Sequence, residues 1–205
     1  MLAPYERRNM DTQYIRMLSE GYILTGGPGA GKTTVCSLLE KAGYSCVPES
    51  GRAVISQELH TGGSALTWAD RSAFARRMFE TDLAAYHAAR RGTPVFFDRG
   101  LPDVAGYLKL EDLNFLPGLE NALQNCRYAP LVFIFPPWQE IYVNDAERKQ
   151  SFAVACRTFR MMVQVYQAYG YRLVEVPRLE PAGRCRFICS CLEQRGYAGG
   201  LKTLK

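Results

Sequence analysis

Gly26, Gly31, Lys32 and Thr33 fill the pattern G-x-x-x-x-G-K-[ST] within GYILTGGPGAGKTT, residues 21–34. No other stretch constrains the fold as strongly. The pattern cradles phosphate only where an apolar strand leads into it and a helix leaves it. Residues 22–25 supply the apolar run. Residues 33–42 place Val35, Leu38 and Leu39 on one helical face before Gly43 stops the helix. Gly26, Gly27, Gly29, Ala30, Gly31, Lys32, Thr33 and Thr34 are therefore expected to hold nucleotide phosphates. The small residues let backbone N–H groups face an anion, and the following helix adds its positive N-terminal end. Lys32 would neutralise the outer phosphates, and the Thr33 hydroxyl would hold magnesium.

A chain of 205 residues, 47% hydrophobic, has material for one sizeable core, so a single domain over 21–205 is expected after an N-terminal extension of 1–20. A net charge of +5 suits handling of phosphate-bearing small molecules. With no Lys/Arg run interleaved with aromatics, nucleic acid is not the expected partner. Seven scattered cysteines and no secretory leader point to reduced thiols in the cytoplasm. Cys185 and Cys189 share a helical face, which reads as core packing and not as a metal site. No apolar stretch is long enough to span a bilayer.

Beyond the loop, strands are expected at 44–47, 94–97, 131–135 and 171–176. Helices are expected at 53–59, 68–91, 102–110, 119–126, 151–169 and 182–195. Strands alternating with helices imply an α/β fold, a parallel sheet covered on both faces. Ligands bind at the carboxyl ends of such strands, so the polar residues that end each apolar run are the informative ones. Glu49 and Arg52 follow the second strand. Asp98 and Arg99 follow the third. Asp98 ends Val-Phe-Phe-Asp and is expected to hold magnesium, the alternative being a strand-capping aspartate. Glu49 is expected to orient an acceptor hydroxyl and take its proton, the alternative being a surface glutamate in a turn. Arg99 would contact a phosphate or the acceptor, or pair with Glu49. Asp103 would cap the next helix or reach the acceptor pocket. The charged stretch 140–150 reads as a lid in which Arg148, or Lys149, closes over the phosphates; the alternative is a solvated first helical turn. The nucleobase would meet the loop after the fifth strand, near Arg178.

The segments ILTGGPGAGKTT, VPESGRAVI, FFDRGLPD and PPWQEIYVNDAERKQSF resemble the AAA-like predicted ATPase family of P-loop nucleoside triphosphatases. That family is related to the ribosylnicotinamide kinase domain of the bacterial NAD regulator and to the TRPL translocation defect protein domain. The resemblance implies a three-layer P-loop fold with a five-stranded parallel sheet in kinase-like order 2-3-1-4-5, which puts Glu49 and Asp98 on neighbouring strands. A more distant similarity to deoxynucleoside kinases implies Glu49 as base and Asp98 as metal partner. Ring-forming AAA machines carry a second helical domain for which this chain has no room. A GTPase N-K-x-D segment and an LSGGQ signature are also missing. The expectation is a kinase that moves the γ-phosphate of Mg-ATP to a hydroxyl of a small nucleoside-like metabolite. The alternative is a nucleotide switch or slow hydrolase that signals to a protein or lipid partner.

Overall fold

The computed structural model describes residues 16–142 and 151–194. Five strands form one parallel sheet: β1 Gly21–Gly26, β2 Ser45–Val47, β3 Val95–Asp98, β4 Leu131–Phe135 and β5 Arg172–Glu175. Their spatial order is β2-β3-β1-β4-β5. This is the order the resemblance implies. A two-residue parallel ladder outside the sheet, Arg16–Met17 with Cys126–Arg127, is an addition to it. Leu18 donates its N–H to the Arg127 carbonyl and is buried, so residues 16–20 dock on the domain. Residues 1–15 of the expected extension lie outside the described chain.

Side-chain alternation assigns the strand residues to two cores. Ile23, Val95, Phe97, Val132 and Ile134 face one side. Tyr22, Leu24, Phe96, Leu131, Phe133 and Phe135 face the other. The second core is closed by α1 Lys32–Lys41 and α7 Pro181–Glu193, which pack together. The first is closed by α2 Ser50–Thr61, α3 Arg71–Ala88, α4 Leu101–Leu110, α5 Leu119–Asn125 and α6 Phe152–Ala168. Burial on both faces is why β1, β3 and β4 read as unbroken apolar runs. The seven cysteines are free, with Cys185 and Cys189 in the second core as expected.

Two helices depart from the sequence expectation. Helix α2 begins three residues earlier, because Ser50 and Gly51 are buried and Gly51 packs against Met78 and Phe74 of α3. Their polar neighbours suggested a turn, and tertiary packing overrides that local signal. Helix α3 starts at Arg71, after Asp70 accepts the Ala73 N–H at 2.9 Å, and ends at Ala88. Arg90, Arg91 and Gly92 fall beyond it. Ala89 is already extended, and the chain turns through Gly92 toward Pro94.

Candidate active site

The strand parities decide what meets at the carboxyl edge. Asp98 shares the face of Phe96, toward α1, and there the Thr33 hydroxyl donates to Asp98 Oδ2 at 2.8 Å. Asp98 is buried, and its Oδ1 has no hydrogen-bond partner among the described residues. Burial pushes its carboxyl above the ordinary range; Lys32 opposes this and Glu49 adds to it. A buried, half-satisfied carboxylate beside a hydroxyl is a set of hard oxygen donors suited to magnesium. Thr33→Val is expected to raise the magnesium concentration needed for nucleotide binding roughly tenfold. Magnesium titrations of nucleotide affinity in the two proteins would show it.

Gly26 closes β1 with φ 130°, and a Cβ there would lie 2.4 Å from the Phe135 carbonyl, so the loop can leave the sheet only through glycine. Lys32 is 5% exposed and donates to the Gly27 carbonyl at 3.0 Å. Burial lowers its pKa, with Arg99 acting in the same direction and Asp98, Glu49 and Asp103 against it. Such an ammonium gains from an added anion. Two supports escaped the sequence reading. The Tyr142 ring lies against Gly29, and buried Arg184 donates to the Ala30 carbonyl at 2.9 Å with its guanidinium 5.6 Å over the Trp138 ring. Arg178 bonds the Pro137 carbonyl, joining the loops after β4 and β5, so its side chain is committed to the scaffold.

Glu49 occupies the N-cap position of α2 without a side-chain capping bond, and its carboxylate faces Arg99 at 2.8 Å and Arg52 at 3.4 Å. Burial alone would raise its pKa, but Arg99, Lys32 and Arg52 together hold it below the ordinary value. The structure therefore takes the ion-pair alternative for Arg99. This residue sits at φ 77°, strained for a side-chain-bearing residue, and its fork is divided among Glu49, the Gly26 carbonyl at 3.1 Å and Asp103 at 3.0 Å. Its Nε and Nη1 are engaged by these protein groups, and the residue also lines the cleft. Asp103 caps the helix, accepting the Gly100 N–H at 3.1 Å, and it also lines the cleft, so the two sequence alternatives hold together. It also accepts the Thr25 hydroxyl at 2.6 Å and the Tyr166 hydroxyl. Asp103→Asn is expected to lower stability by about 2 kcal/mol, since it would replace acceptor capacity with donors facing donors. A denaturant midpoint shift at unchanged slope would record it.

A cleft of about 1310 Å³ runs from the loop to a pocket between α2, α3 and α4. It brings Lys32, Thr33, Glu49, Arg52 and Asp82 to one surface, along with exposed Arg157 of α6. The expected lid is described only to Tyr142; Arg148 and Lys149 lie outside the described residues. Asp82 was legible after all. Phe74, Met78, Asp82 and Tyr86 recur every four residues on the buried face of α3, and a carboxylate interrupting such a stripe is the signal. Among the described residues no cluster of His, Cys, Asp and Glu of metal-binding type occurs, and no helix is long and apolar enough to cross a membrane.

A family model described as an AAA domain matches residues 21–184. The NadR protein in complex with NR is similar in structure, with a TM-score of 0.68 at 16% identity over 92% of this chain and 53% of that one. This chain thus spans about half the length of that relative. Thymidylate kinase from Candida albicans gives 0.59 at 12% identity, over 87% and 92% of the two chains. Deoxyadenosine kinase from M. mycoides with bound dATP gives 0.53 at 15%, over 85% and 99%. At these identities the likeness establishes the P-loop kinase fold. No curated protein matches the chain in sequence.

Proposed function

The chain belongs to the AAA domain family, matched from residue 21 to residue 184, and from that premise we propose that it is a kinase transferring the γ-phosphate of Mg-ATP to a hydroxyl of a small nucleoside-like metabolite. The observation that carries this reading is the cleft. It extends from the phosphate loop into the space between α2, α3 and α4, with Glu49 in its lining. A simple hydrolase needs room for a water molecule only.

In this reading the loop from Gly26 to Thr34 binds the triphosphate, and Lys32 supplies the buried charge that favours the outer phosphates. Thr33 and Asp98 would hold magnesium, which when bound neutralises phosphate charge. Glu49 orients the acceptor hydroxyl and receives its proton. Because phosphoryl transfer passes through a loose transition state, a weakly basic, firmly positioned carboxylate suffices. Arg99 fixes Glu49, and Arg52 borders the acceptor. Arg148 is proposed to close over the phosphates. Exposed Trp68 and Leu59 on the cleft margin, each 63% exposed, favour a second reading in which the nucleotide state controls a protein or lipid contact.

The fate of the γ-phosphate separates the two. Protein given γ-labelled Mg-ATP and a pool of nucleosides is expected to place label in an organic product, and Lys32→Ala is expected to place none. Label recovered only as inorganic phosphate would favour the switch.

A further inference from the structure

The acceptor end of the cleft holds a buried carboxylate with no part in the proposed phosphate chemistry. Asp82 is 7% exposed on the inward stripe of α3, with the buried Ser50 of α2 near enough for its hydroxyl to lower the Asp82 pKa. Among the described residues it has no ion-pair partner. A carboxylate in an apolar stripe without a cation destabilises a fold unless a ligand uses it. A second polar group stands in the same pocket. The Tyr107 hydroxyl of α4 is buried and finds no hydrogen-bond partner among the described residues, although it could both donate and accept. The walls between these groups are apolar and partly aromatic: Phe74, Met78, Val104 and Met162, with the Phe74 and Tyr107 rings edge-on at 5.4 Å. A flat body fits against such walls, with polar atoms along its edge.

The charge of the pocket narrows the ligand further. The cleft is lined by the carboxylates Glu49, Asp82, Asp103 and Glu111 and by the guanidiniums Arg52, Arg99 and exposed Arg157, and Arg71 pairs with Glu111 at 3.0 Å. Arg52 and Arg99 face Glu49, and Arg99 also faces Asp103. Pockets that accept a phosphate or carboxylate offer it uncommitted cations. Here the cations facing these carboxylates are engaged with Glu49, Asp103 and Glu111, and Asp82 pairs with none among the described residues, so an anion at the Asp82 end would meet an uncompensated carboxylate.

Resting on the phosphotransfer reading, we infer that Asp82 and Tyr107 select the acceptor: an alcohol on a flat, base-like body that gives an N–H to the Asp82 carboxylate and a carbonyl to the Tyr107 hydroxyl, and that bears no phosphate or carboxylate. Ser50 is the positioning residue that fixes the Asp82 rotamer.

The test is equilibrium binding by calorimetry on the full chain, with and without magnesium and a non-hydrolysable ATP analogue. The probes are uridine, inosine and cytidine, their 5′-monophosphates, and shikimate. At least one nucleoside is expected to bind, with its monophosphate and shikimate roughly tenfold weaker or worse. Asp82→Leu is expected to weaken that nucleoside roughly tenfold or more, and Tyr107→Phe about fivefold. Tyr107→Phe removes a hydroxyl that bonds nothing in the fold, so it keeps the test valid if Asp82→Leu fails to fold. Tighter binding of the anions, binding by neither class, or wild-type affinity in Tyr107→Phe would overturn the inference. Failure of the kinase reading looks different: nucleosides bind with this pattern, yet label never leaves ATP for an organic product.

Discussion

Glu49→Gln is expected to slow phosphotransfer by about 10²–10⁴-fold while leaving Mg-ATP affinity within about threefold. The substitution keeps the size of the side chain, and its amide oxygen can still accept from Arg99. It loses the charge proposed to receive the acceptor proton. In the proposed reading nucleotide binding rests on Lys32, the loop and the Thr33–Asp98 pair, none of which bonds Glu49. The pH profile adds a second constraint. Because Arg99, Lys32 and Arg52 overcome the effect of burial, the Glu49 carboxyl titrates below its ordinary value of 4.5. It therefore stays ionised to lower pH than an ordinary glutamate, and the acid limb of kcat should lie below that value. Part of the stability contributed by the pair with Arg99 should be lost over the same acidic window, as pH falls through the lowered pKa. Single-turnover rates at several pH values would measure the first, and denaturant midpoints over the same range the second. Transfer by Glu49→Gln at the wild-type rate would remove Glu49 from the chemistry.

Asp82→Asn should make the protein more stable at pH 8 and nearly leave it unchanged at pH 4. Burial raises the Asp82 carboxyl from 3.8 to about 7; the Ser50 hydrogen bond and Arg99 pull it down, whereas Asp103 and Glu49 push it up. The sign follows from linkage. A carboxyl raised in the folded state binds more protons there than in the unfolded chain. Its ionisation then destabilises the fold progressively as pH climbs from the unfolded value to the folded one. Above pH 7 the full cost, up to about 4 kcal/mol, is present in the parent protein and missing in the variant. Unfolding midpoints of the two proteins across pH 4 to 8 would isolate this one group, because all other titrations cancel in the difference. Parallel curves would mean that Asp82 is solvated or paired in solution. A fold that carries so costly a group, with Tyr107 unsatisfied nearby, trades stability for recognition.

Much of this was readable from residue order. The phosphate loop was legible because its glycines answer a local backbone demand, and the strands because burial on both faces leaves no polar alternation. The meeting of Thr33 with Asp98 followed from motif and resemblance together. What stayed hidden depended on contacts between distant segments. The polar run Pro48 to Arg52 looked like a turn, and only the packing of Gly51 on α3 makes it a helix start. Arg99 offered two readings until the sheet order put Glu49, Asp103 and the Gly26 carbonyl within its reach. Arg184, far along the chain, gave no sign that it supports Ala30.

The three-way grip of Arg99 also bears on how the molecule comes into being. Its partners arrive with β1, with the start of α2 and with α4, and the sequence separations are 73 residues to Gly26 and 50 to Glu49. Contacts of that span are late events, because long loops must close before they are rewarded. A nascent chain that has emerged through α1 owns the whole glycine-lysine motif. It lacks Asp98, Arg99 and β4, the strand that flanks β1 on its other side. Nucleotide capture is therefore expected to switch on late in synthesis, in one cooperative step, with no half-built intermediate holding nucleotide on the ribosome.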